Sequence, residues 1–477
     1  MTTTCIRNAE WAIVWNASAK RHEYRRGVDV VFKDNAIAHI GSRHAGPVDR
    51  EIDGRGLFVM PGLVDLHCHP TNQPLYKGVR EELGNPHLYG SGLYDYMHLL
   101  RPDTESRRAG TTYTYCELLK SGVTTVADLT VPYDGWVDLA GESGLRVCIA
   151  PMYRAAEWVV RDGRSLDYRW DEQAGRKRFD EAIRVVEAAE RHPSKRLFGM
   201  ISPGQIDTCG EELLRDSVAL ARSSRRPFQV HTAQSVVEFN EMTRRHGKTP
   251  IQWAHDIGLL GPGTGLGHAI FVDSHSWIHW NTRRDIAILA ETGTNVAHCP
   301  TVFARYGHLL QSLGAYHKAG ITIGIGTDTF PHNMIEEVRT ALIMGRAAAG
   351  YMQSVTTADG FHMATIGGAT ALLRDDIGRL AVGAKADVVL VDLKTPLMQP
   401  ARDPLRCLLY TAADRAVRDV FVDGRQVVRD GQVLTLDMTA AAERLSEGQA
   451  KMLAAAPNFD DARRSAEEIA PLSLPAG

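Results

Sequence analysis

Two histidines one residue apart end an apolar run of the sequence, and their spacing suits metal chemistry. His67 and His69 follow the run at residues 59–66. Successive side chains of a β-strand point to opposite faces, so the two imidazoles share one face and Cys68 takes the other. Two imidazoles on one side of a strand end can bind one divalent cation. Alone, the pattern also fits two polar residues at the end of an ordinary strand.

Further candidates follow later in the chain, each at the end of an apolar, strand-like run: His231, His268, His298 and Asp328. Zinc and similar ions take imidazole and carboxylate ligands, and a catalytic site leaves one position open for water. The set that meets this need is His67, His69, His231 and Asp328. Water on such an ion has its pKa lowered to about 7 and becomes a nucleophile. We expect one divalent ion, Zn²⁺ first, with Fe²⁺, Co²⁺ and Mn²⁺ as alternatives.

The remaining candidates are expected to act beside the ion. His268 would hydrogen-bond the bound water or the carbonyl under attack. Asp328 would serve as ligand and as proton carrier, and His298 would face the substrate. The structural alternatives are a turn aspartate that caps the next helix and buried histidines without a chemical role.

The elements that must position these residues repeat as strand, loop and helix from Pro61 onward. The strand-like segments are residues 57–66, 122–126, 145–150, 197–201, 228–231, 266–272, 295–298 and 321–326. The helical stretches between them are residues 176–191, 211–222, 235–246, 282–291 and 309–319. This alternation predicts a parallel sheet covered by helices. Eight units that close on themselves make an α/β fold of the (β/α)₈ TIM-barrel type, with reactive groups at the carboxyl ends of the strands. A doubly wound open sheet is the alternative, but it would not gather strands one, five, six and eight.

Short β-rich runs flank the barrel and are expected to pair in one small, discontinuous β-sandwich domain. The predicted segments are residues 1–60 for its first part, 61–375 for the metal-dependent hydrolase barrel, 376–435 for its second part, and 436–477 for a peripheral helix and tail. A long aromatic connection follows the first barrel strand, and we interpret it as a substrate lid.

Composition excludes several classes of partner. The 477 residues suit a barrel of about 250 residues plus a satellite domain. A net charge of -3 gives no reason to expect nucleic acid or an anionic membrane. The seven cysteines lack a C-x-x-C pair, which is typical of reduced thiols in the cytosol. The chain shows neither a long apolar span nor a signal peptide. We expect a cytoplasmic homo-oligomer that acts on a small molecule.

Five short segments carry the most distinctive residues: PGLVDLHCH at 61–69, VHTA at 230–233, LAETGTNVAHCP at 289–300, GTD at 326–328 and GAKAD at 383–387. Together they resemble the PGxxDxHxH, HxAE, LAxxGxxVxHCP, GTD and GKxAD motifs of the amidohydrolase superfamily, in its cytosine deaminase and chlorohydrolase-like branch. The resemblance covers nearly the whole chain. It implies one divalent ion on the four ligands above, with His268 beside the water. Residues 202–205 (SPGQ) lack the lysine of the two-metal members.

One departure from the branch concerns proton transfer. Its deaminases carry a glutamate where this chain has Gln234. A carboxamide does not titrate near neutral pH, so Gln234 can orient a substrate but cannot relay a proton. We therefore expect hydrolysis of a non-peptide C–N bond of the amide, urea or carbamate type. Residues 326–334 are also loosely similar to phenylurea and thiocarbamate hydrolases. The alternatives are an aminohydrolase or dehalogenase of a purine, pyrimidine or triazine ring, and a barrel kept only for binding.

Aromatic and apolar residues near the strand ends predict a small, largely apolar or aromatic substrate. The predicted pocket walls are Tyr94, Tyr96, Met97, Trp136, Tyr153, Trp280 and Phe303. Gln234 and His298 are expected to contact the substrate as well. His332 would either steady Asp328 or touch the substrate.

Overall fold

The structure, a computed structural model, describes residues 2–161 and 163–475. The first residue of the predicted β segment and the last two of the predicted tail lie outside this range. In the described part, no helix combines the length and the apolar character that a membrane span requires.

Seven strands form the amino-terminal β segment. They are β1 Thr3–Ala9, β2 Trp11–Asn16, β3 Arg21–Arg25, β4 Val28–Lys33, β5 Ala36–Gly41, β6 Arg50–Asp53 and β7 Leu57–Pro61. Four of them make a sheet of order β5-β4-β1-β6, whereas β2, β3 and β7 join a second sheet.

The central strands form a closed parallel barrel with one hairpin inserted. In chain order they are β8 Leu63–Cys68, β9 Val123–Thr130, β10 Arg146–Tyr153, the hairpin β11 Ala156–Arg161 and β12 Ser165–Trp170, β13 Leu197–Gly199 with β14 Ser202–Pro203, β15 Phe228–Thr232, β16 Thr264–His268, β17 Asn295–His298 and β18 Ile323–Ile325. Two runs of neighbours, β8-β9-β10-β13 and β15-β16-β17-β18, pair in parallel. Single backbone pairings at Ile201–Phe228, Gln205–His231 and Cys68–Asp328 join the runs and close the ring. The predicted (β/α)₈ barrel is confirmed.

Helices alternate with the barrel strands, and further helices follow the last barrel strand along the chain. They are α1 Thr104–Lys120, α2 Trp136–Glu142, α3 Glu172–Glu190, α4 Glu211–Ser224, α5 Val236–His246, α6 Pro250–Asp256, α7 Asp285–Thr292, α8 Pro300–Arg305, α9 Leu313–Lys318, α10 Met334–Ala349, α11 Thr357–His362, α12 Gly368–Ala371, α13 Pro404–Cys407, α14 Met438–Ala455 and α15 Ala466–Ile469.

The last strands return to the amino-terminal β segment. They are β19 Val388–Asp392, β20 Val417–Val422, β21 Arg425–Arg429 and β22 Gln432–Val433. They complete a sheet of order β22-β21-β20-β19-β7-β2-β3, in which β19 pairs with β7. Apolar side chains of both sheets, such as Phe32 from β4 and Val388 from β19, share one core cluster. The predicted discontinuous β domain is therefore present.

The first barrel strand is shorter than predicted. The run at 57–66 divides at Gly62, so that β7 belongs to the β domain and only β8 enters the barrel. The amide of Gly62 still bonds the Asp387 carbonyl (3.0 Å), whereas Leu63 already bonds Gly122 in the barrel (3.0 Å). A Cβ at Gly62 would lie 2.0 Å from the Thr124 hydroxyl, so glycine permits this change of sheet.

Candidate active site

Four of the predicted side chains converge at the carboxyl end of the barrel. The ring nitrogens of His67, His69 and His231 lie within 4.8 Å of one another. His69 Nε2 is 3.2 Å from His231 Nε2 and 3.5 Å from Asp328 Oδ1. The strand period thus brings these residues together as expected, on β8, on β15 and just after β18.

The ring orientations of the three histidines are set by hydrogen bonds from Nδ1. His67 donates to Oε1 of Gln229, His69 to the Leu129 carbonyl (2.7 Å) and His231 to the Gly204 carbonyl (2.6 Å). Each Nε2 is therefore free to present its lone pair to the centre of the cluster. His67 Nε2 is buried with no hydrogen-bond partner among the described residues. This donor set fits a divalent ion held by imidazole nitrogens and a carboxylate.

Burial keeps His67 and His231 neutral. It lowers the pKa of His231 to about 3 and that of His67 well below its ordinary value. Burial also raises the pKa of the Asp328 carboxyl, an effect that His69 and the more distant Arg80 and Arg305 oppose. Neutral imidazoles are the form that binds metal ions.

His268 ends β16 next to the cluster, with Nε2 3.8 Å from Asp328 Oδ2. Its Nδ1 is buried and unpartnered in the described structure. Its ring meets Phe303 edge to face at a centroid distance of 4.6 Å. The side chain is therefore within reach of a group bound at the metal ligands, as its predicted role requires.

The turn that carries Asp328 is held by hydrogen bonds to residues of β8. Asp65 accepts bonds from the Thr327 hydroxyl (2.7 Å) and amide (3.1 Å), and the Asp328 amide donates to the His67 carbonyl (2.7 Å). His332 Nδ1 contacts the same Thr327 hydroxyl at 3.0 Å. Of the two roles predicted for His332, this position matches support of the Asp328 turn.

A cavity of about 490 Å³ opens in front of these ligands. Of the predicted residues it is lined by His69, His231, His268, Asp328, Gln234, Tyr94, Met97, Tyr153 and Phe303. Its size and its mixture of aromatic and polar walls suit a small molecule.

Five predicted pocket residues lie outside this lining: Tyr96, Trp136, Trp280, His298 and His332. Trp280 packs on Phe239 at 6.0 Å, and Trp136 donates to Asp128 at 2.8 Å. His298 is buried, and burial lowers its pKa to about 3. A position near a strand end fixes the Cα atom but not the direction of the side chain, so these residues did not reach the cavity.

Gln234 is the third residue after His231 and is buried at the cavity wall. Glu238 accepts hydrogen bonds from the amides of Ala233 (2.5 Å) and Gln234 (3.0 Å), and Ser235 caps the same helix start. The side-chain nitrogen of Gln234 has no partner in the described part of the chain. The described carboxylates lining the cavity are Asp328 and Glu157, and Glu157 is paired with Arg169.

Several residues of the site were not predicted from the sequence, among them Gln229, Cys299 and Trp158. Gln229 lies two residues before His231 on the same strand face, a signal that could have identified it. Cys299 belongs to a second group of potential ligands, with His67, His268 and Asp328, whose atoms lie within 4.8 Å of one another. Trp158 lines the cavity from the hairpin β11–β12, for which the helix and strand pattern gave no sign.

Comparisons with known proteins agree with this geometry. The family model for the amidohydrolase family matches residues 58–427. A 5-methylthioadenosine/S-adenosylhomocysteine deaminase from Halobacterium salinarum is 30% identical over 424 residues, which cover 88% of this chain and 92% of that protein. A zinc-bound adenosine deaminase from Xanthomonas campestris superposes with a TM-score of 0.80 at 22% identity, covering 94% of this chain and 98% of that one. A zinc complex of an atrazine chlorohydrolase from Arthrobacter aurescens gives 0.77 at 20% identity, covering 94% and 100%.

Proposed function

Because this chain belongs to the amidohydrolase family and is a hydrolase of non-peptide carbon–nitrogen bonds, we propose that its substrate is an amide, urea or carbamate. The substrate would be small and largely apolar or aromatic. The observation that carries this choice is the carboxamide of Gln234 at the cavity wall beside the metal ligands.

One divalent ion, with zinc as the proposed identity, would be held by His67, His69, His231 and Asp328. When bound, it would supply a Lewis acid for the carbonyl and would acidify a water molecule. The imidazole and carboxylate donors, the tautomers fixed through Nδ1 and the unpartnered Nε2 of His67 support the proposal.

The protein's own groups would then move one proton. Asp328 would take it from the attacking water and give it to the leaving nitrogen, so that water adds, the C–N bond breaks and an amine departs. His268 would donate a hydrogen bond to the carbonyl oxygen as negative charge develops there. Gln234 would orient the substrate through its amide group.

Gln234 distinguishes this chemistry from ring deamination. Deamination of a heterocycle protonates a ring nitrogen as well as the leaving amine, and a glutamate beside the metal serves both. Here Asp328 is the described cavity carboxylate free of an arginine partner. One proton carrier suffices when a carbonyl carbon is attacked and a single amine leaves.

Aminohydrolysis of a purine, pyrimidine or triazine ring is the second candidate. It is favoured by the 30% identity to a protein named as a 5-methylthioadenosine/S-adenosylhomocysteine deaminase.

Assays on both substrate groups decide between them. Zinc-loaded protein would be tested on phenylureas, thiocarbamates and anilides, and in parallel on 5′-methylthioadenosine, cytosine and atrazine. We expect turnover of the first group, and a gain of deamination in Gln234→Glu. Gln205→Glu is the matched control, because it places a carboxylate elsewhere in the same cavity. Rapid deamination by the wild type with no turnover of ureas or amides would overturn the proposal.

We also propose that the enzyme is a cytoplasmic homo-oligomer with domain boundaries near residues 60, 375 and 435. Light scattering after size-exclusion chromatography tests the assembly, and a monomer would contradict it. Limited proteolysis tests the boundaries.

A further inference from the structure

The hairpin β11–β12 is inserted between the third barrel strand and α3, and its Trp158 lines the cavity. We propose that Trp158 is a specificity-determining residue that stacks on a flat aryl group of the substrate. Asp207 is the positioning residue that holds the indole in place. The inference rests on the hydrolase proposed above and identifies the part of the substrate that is recognised.

Asp207 attaches the hairpin to the rim of the barrel. It follows β14, and its side chain is fully buried. One carboxylate oxygen, Oδ2, accepts hydrogen bonds from Trp158 Nε1 (2.9 Å) and from the Tyr168 hydroxyl (2.7 Å). Trp158 and Tyr168 are directly paired across the hairpin, so their side chains share one face. A single carboxylate therefore fixes both rings.

The same face of the hairpin is also supported by Arg245, because Tyr168 and Trp170 are two residues apart in β12. Its guanidinium lies 4.2 Å from the Tyr168 ring centroid and 5.0 Å from that of Trp170. It also donates to the Asp207 carbonyl (2.7 Å). The amides of Ala155 and Ala156 both bond the Thr208 carbonyl at 2.9 Å. The hairpin is thus held at its base and on the face that carries Trp158, and the indole has little freedom to leave the cavity.

Trp158 is joined to the reactive end of the cavity through Tyr94. The two rings meet edge to face at a centroid distance of 4.8 Å. The Tyr94 hydroxyl is 2.5 Å from the Ser235 hydroxyl, and Ser235 directly follows Gln234. Tyr94 is itself buried, so the indole packs against a fixed wall.

Phe303 supplies an aromatic wall from the other side of the barrel. The Trp158 hairpin follows the third strand, whereas Phe303 follows the seventh, and these strands lie across an eight-stranded barrel from each other. Phe303 contacts His268, so it sits next to the reacting atoms. A flat ring bound between these walls would place its attached carbonyl or nitrogen near the metal ligands. Edge-to-face and offset stacking favours aryl groups over saturated rings of equal size.

Two ketones test the inference without turnover. Acetophenone and cyclohexyl methyl ketone have the same skeleton and no C–N bond, but only the first has a flat ring. Their binding to the full-length, zinc-loaded protein would be measured by isothermal titration calorimetry. We expect acetophenone to bind about tenfold more tightly, as is usual for an aromatic contact of this kind. Trp158→Ala should remove most of the preference, because only the Phe303 wall then remains for the ring, and Trp158→Phe should retain most of it.

Trp170→Ala is the matched control, because Trp170 belongs to the same hairpin but is exposed and does not line the cavity. It should leave the preference unchanged. Asp207→Ala should lower the preference, Asp207→Asn should restore part of it, and neither should change it in a Trp158→Ala background. In turnover, Asp207→Ala should raise KM for aryl substrates and leave kcat for alkyl substrates unchanged.

Three results would overturn the inference. They are a wild type that does not prefer acetophenone, a folded Trp158→Ala protein that keeps the preference, and a Trp170→Ala protein that loses it equally. A further effect of Asp207→Ala in the Trp158→Ala background would overturn the role of Asp207. If the ketones behave as expected and ureas are not hydrolysed, the proposed reaction fails and this inference stands. If ureas are hydrolysed and the ketones bind equally, the proposed reaction stands and this inference fails.

Discussion

Removal of the Gln229 side chain should weaken metal binding although Gln229 touches no metal. Gln229 accepts the Nδ1 proton of His67 through Oε1. Its own amide nitrogen donates to the Leu66 carbonyl at 3.1 Å, which orients Oε1 toward the imidazole. In Gln229→Ala the His67 N–H would lose its acceptor in a fully buried site, and the ring would lose the contact that selects its tautomer.

The size of the effect follows from that single unpaired donor. A buried donor left without a partner costs about 1–3 kcal/mol. If this cost is subtracted from the free energy of zinc binding, zinc affinity falls by about 10-fold to 100-fold. That range is usual for the hydrogen-bond partners of metal-ligating histidines.

Competition with a chromophoric chelator measures zinc affinity directly and does not depend on the substrate. Gln229→Glu keeps an acceptor at the same place and should bind zinc more tightly than Gln229→Ala. Gln252→Ala removes an amide that bonds Thr282 and Asp285 (2.8 Å each) away from the site, and should leave the affinity unchanged. If folded Gln229→Ala binds zinc within about twofold of the wild type, the orienting role of Gln229 is refuted.

Three more predictions test other parts of the molecule. Asp328→Asn should lower turnover by about 10³-fold or more, because a ligand and a proton carrier are lost together, and steady-state assays with retained activity would refute this. Burial raises the pKa of Glu337 from its ordinary 4.5 to about 8, so its proton is bound more tightly in the folded state. The stability that this bound proton gives to the folded state is present below pH 4.5 and is lost as the pH rises through 8. Glu337→Gln should therefore flatten the fall of Tm over this interval, whereas Glu336→Gln, at its partly exposed neighbour, should not. Arg146→Met leaves the buried carboxylate of Asp387 without its arginine partner, whereas Asp423 keeps Lys385 at 3.8 Å. It should lower the free energy of unfolding by about 3–5 kcal/mol in urea titrations, and an unchanged midpoint would show that the Arg146–Asp387 pair does not stabilise the fold.

The convergence of the four proposed metal ligands could be predicted because each position depends on local rules. His67 and His69 share a strand face through a period of two, and the carboxyl ends of parallel strands meet at one end of a barrel. Gln229 obeys the same rule relative to His231 and was identifiable in principle. These inferences require only that a segment is a strand and that its carboxyl end is known, and the apolar runs indicate both.

The walls of the cavity depend on contacts between distant segments, which no local pattern encodes. Trp158 reaches the cavity because Asp207, from another strand end, accepts its indole N–H. Conversely, Trp280 was predicted as a wall but packs on Phe239, since its side chain takes the other direction. Side-chain direction after a strand is decided by such tertiary partners, so the sequence predicted the chemistry more completely than the specificity.

The backbone at the reactive strand ends depends on distant partners in the same way. Four non-glycine residues there have left-handed conformations: Ala233 (φ 56°), His268 (φ 87°), Ala269 (φ 46°) and Asp328 (φ 55°). Such conformations are unfavourable for residues with a Cβ and persist where the surroundings impose them. They bend the chain sharply at the end of each strand, and Gln234, His268 and Asp328, which lie at or next to the bends, line the cavity.

Each bend is held by a buried polar side chain from outside its strand. Glu238 accepts the Ala233 amide (2.5 Å), the Tyr316 hydroxyl donates to the Ala269 carbonyl (2.7 Å), and Asp65 accepts the amide and hydroxyl of Thr327 just before Asp328. None of the three anchors touches the cavity, and all are fully buried. Because they act on backbone groups or on a neighbouring threonine, the reactive residues could change while the bends remain. Exchange of a relay carboxylate for the carboxamide of Gln234 is a change of this kind, since Glu238 holds the Gln234 amide whatever side chain that residue carries.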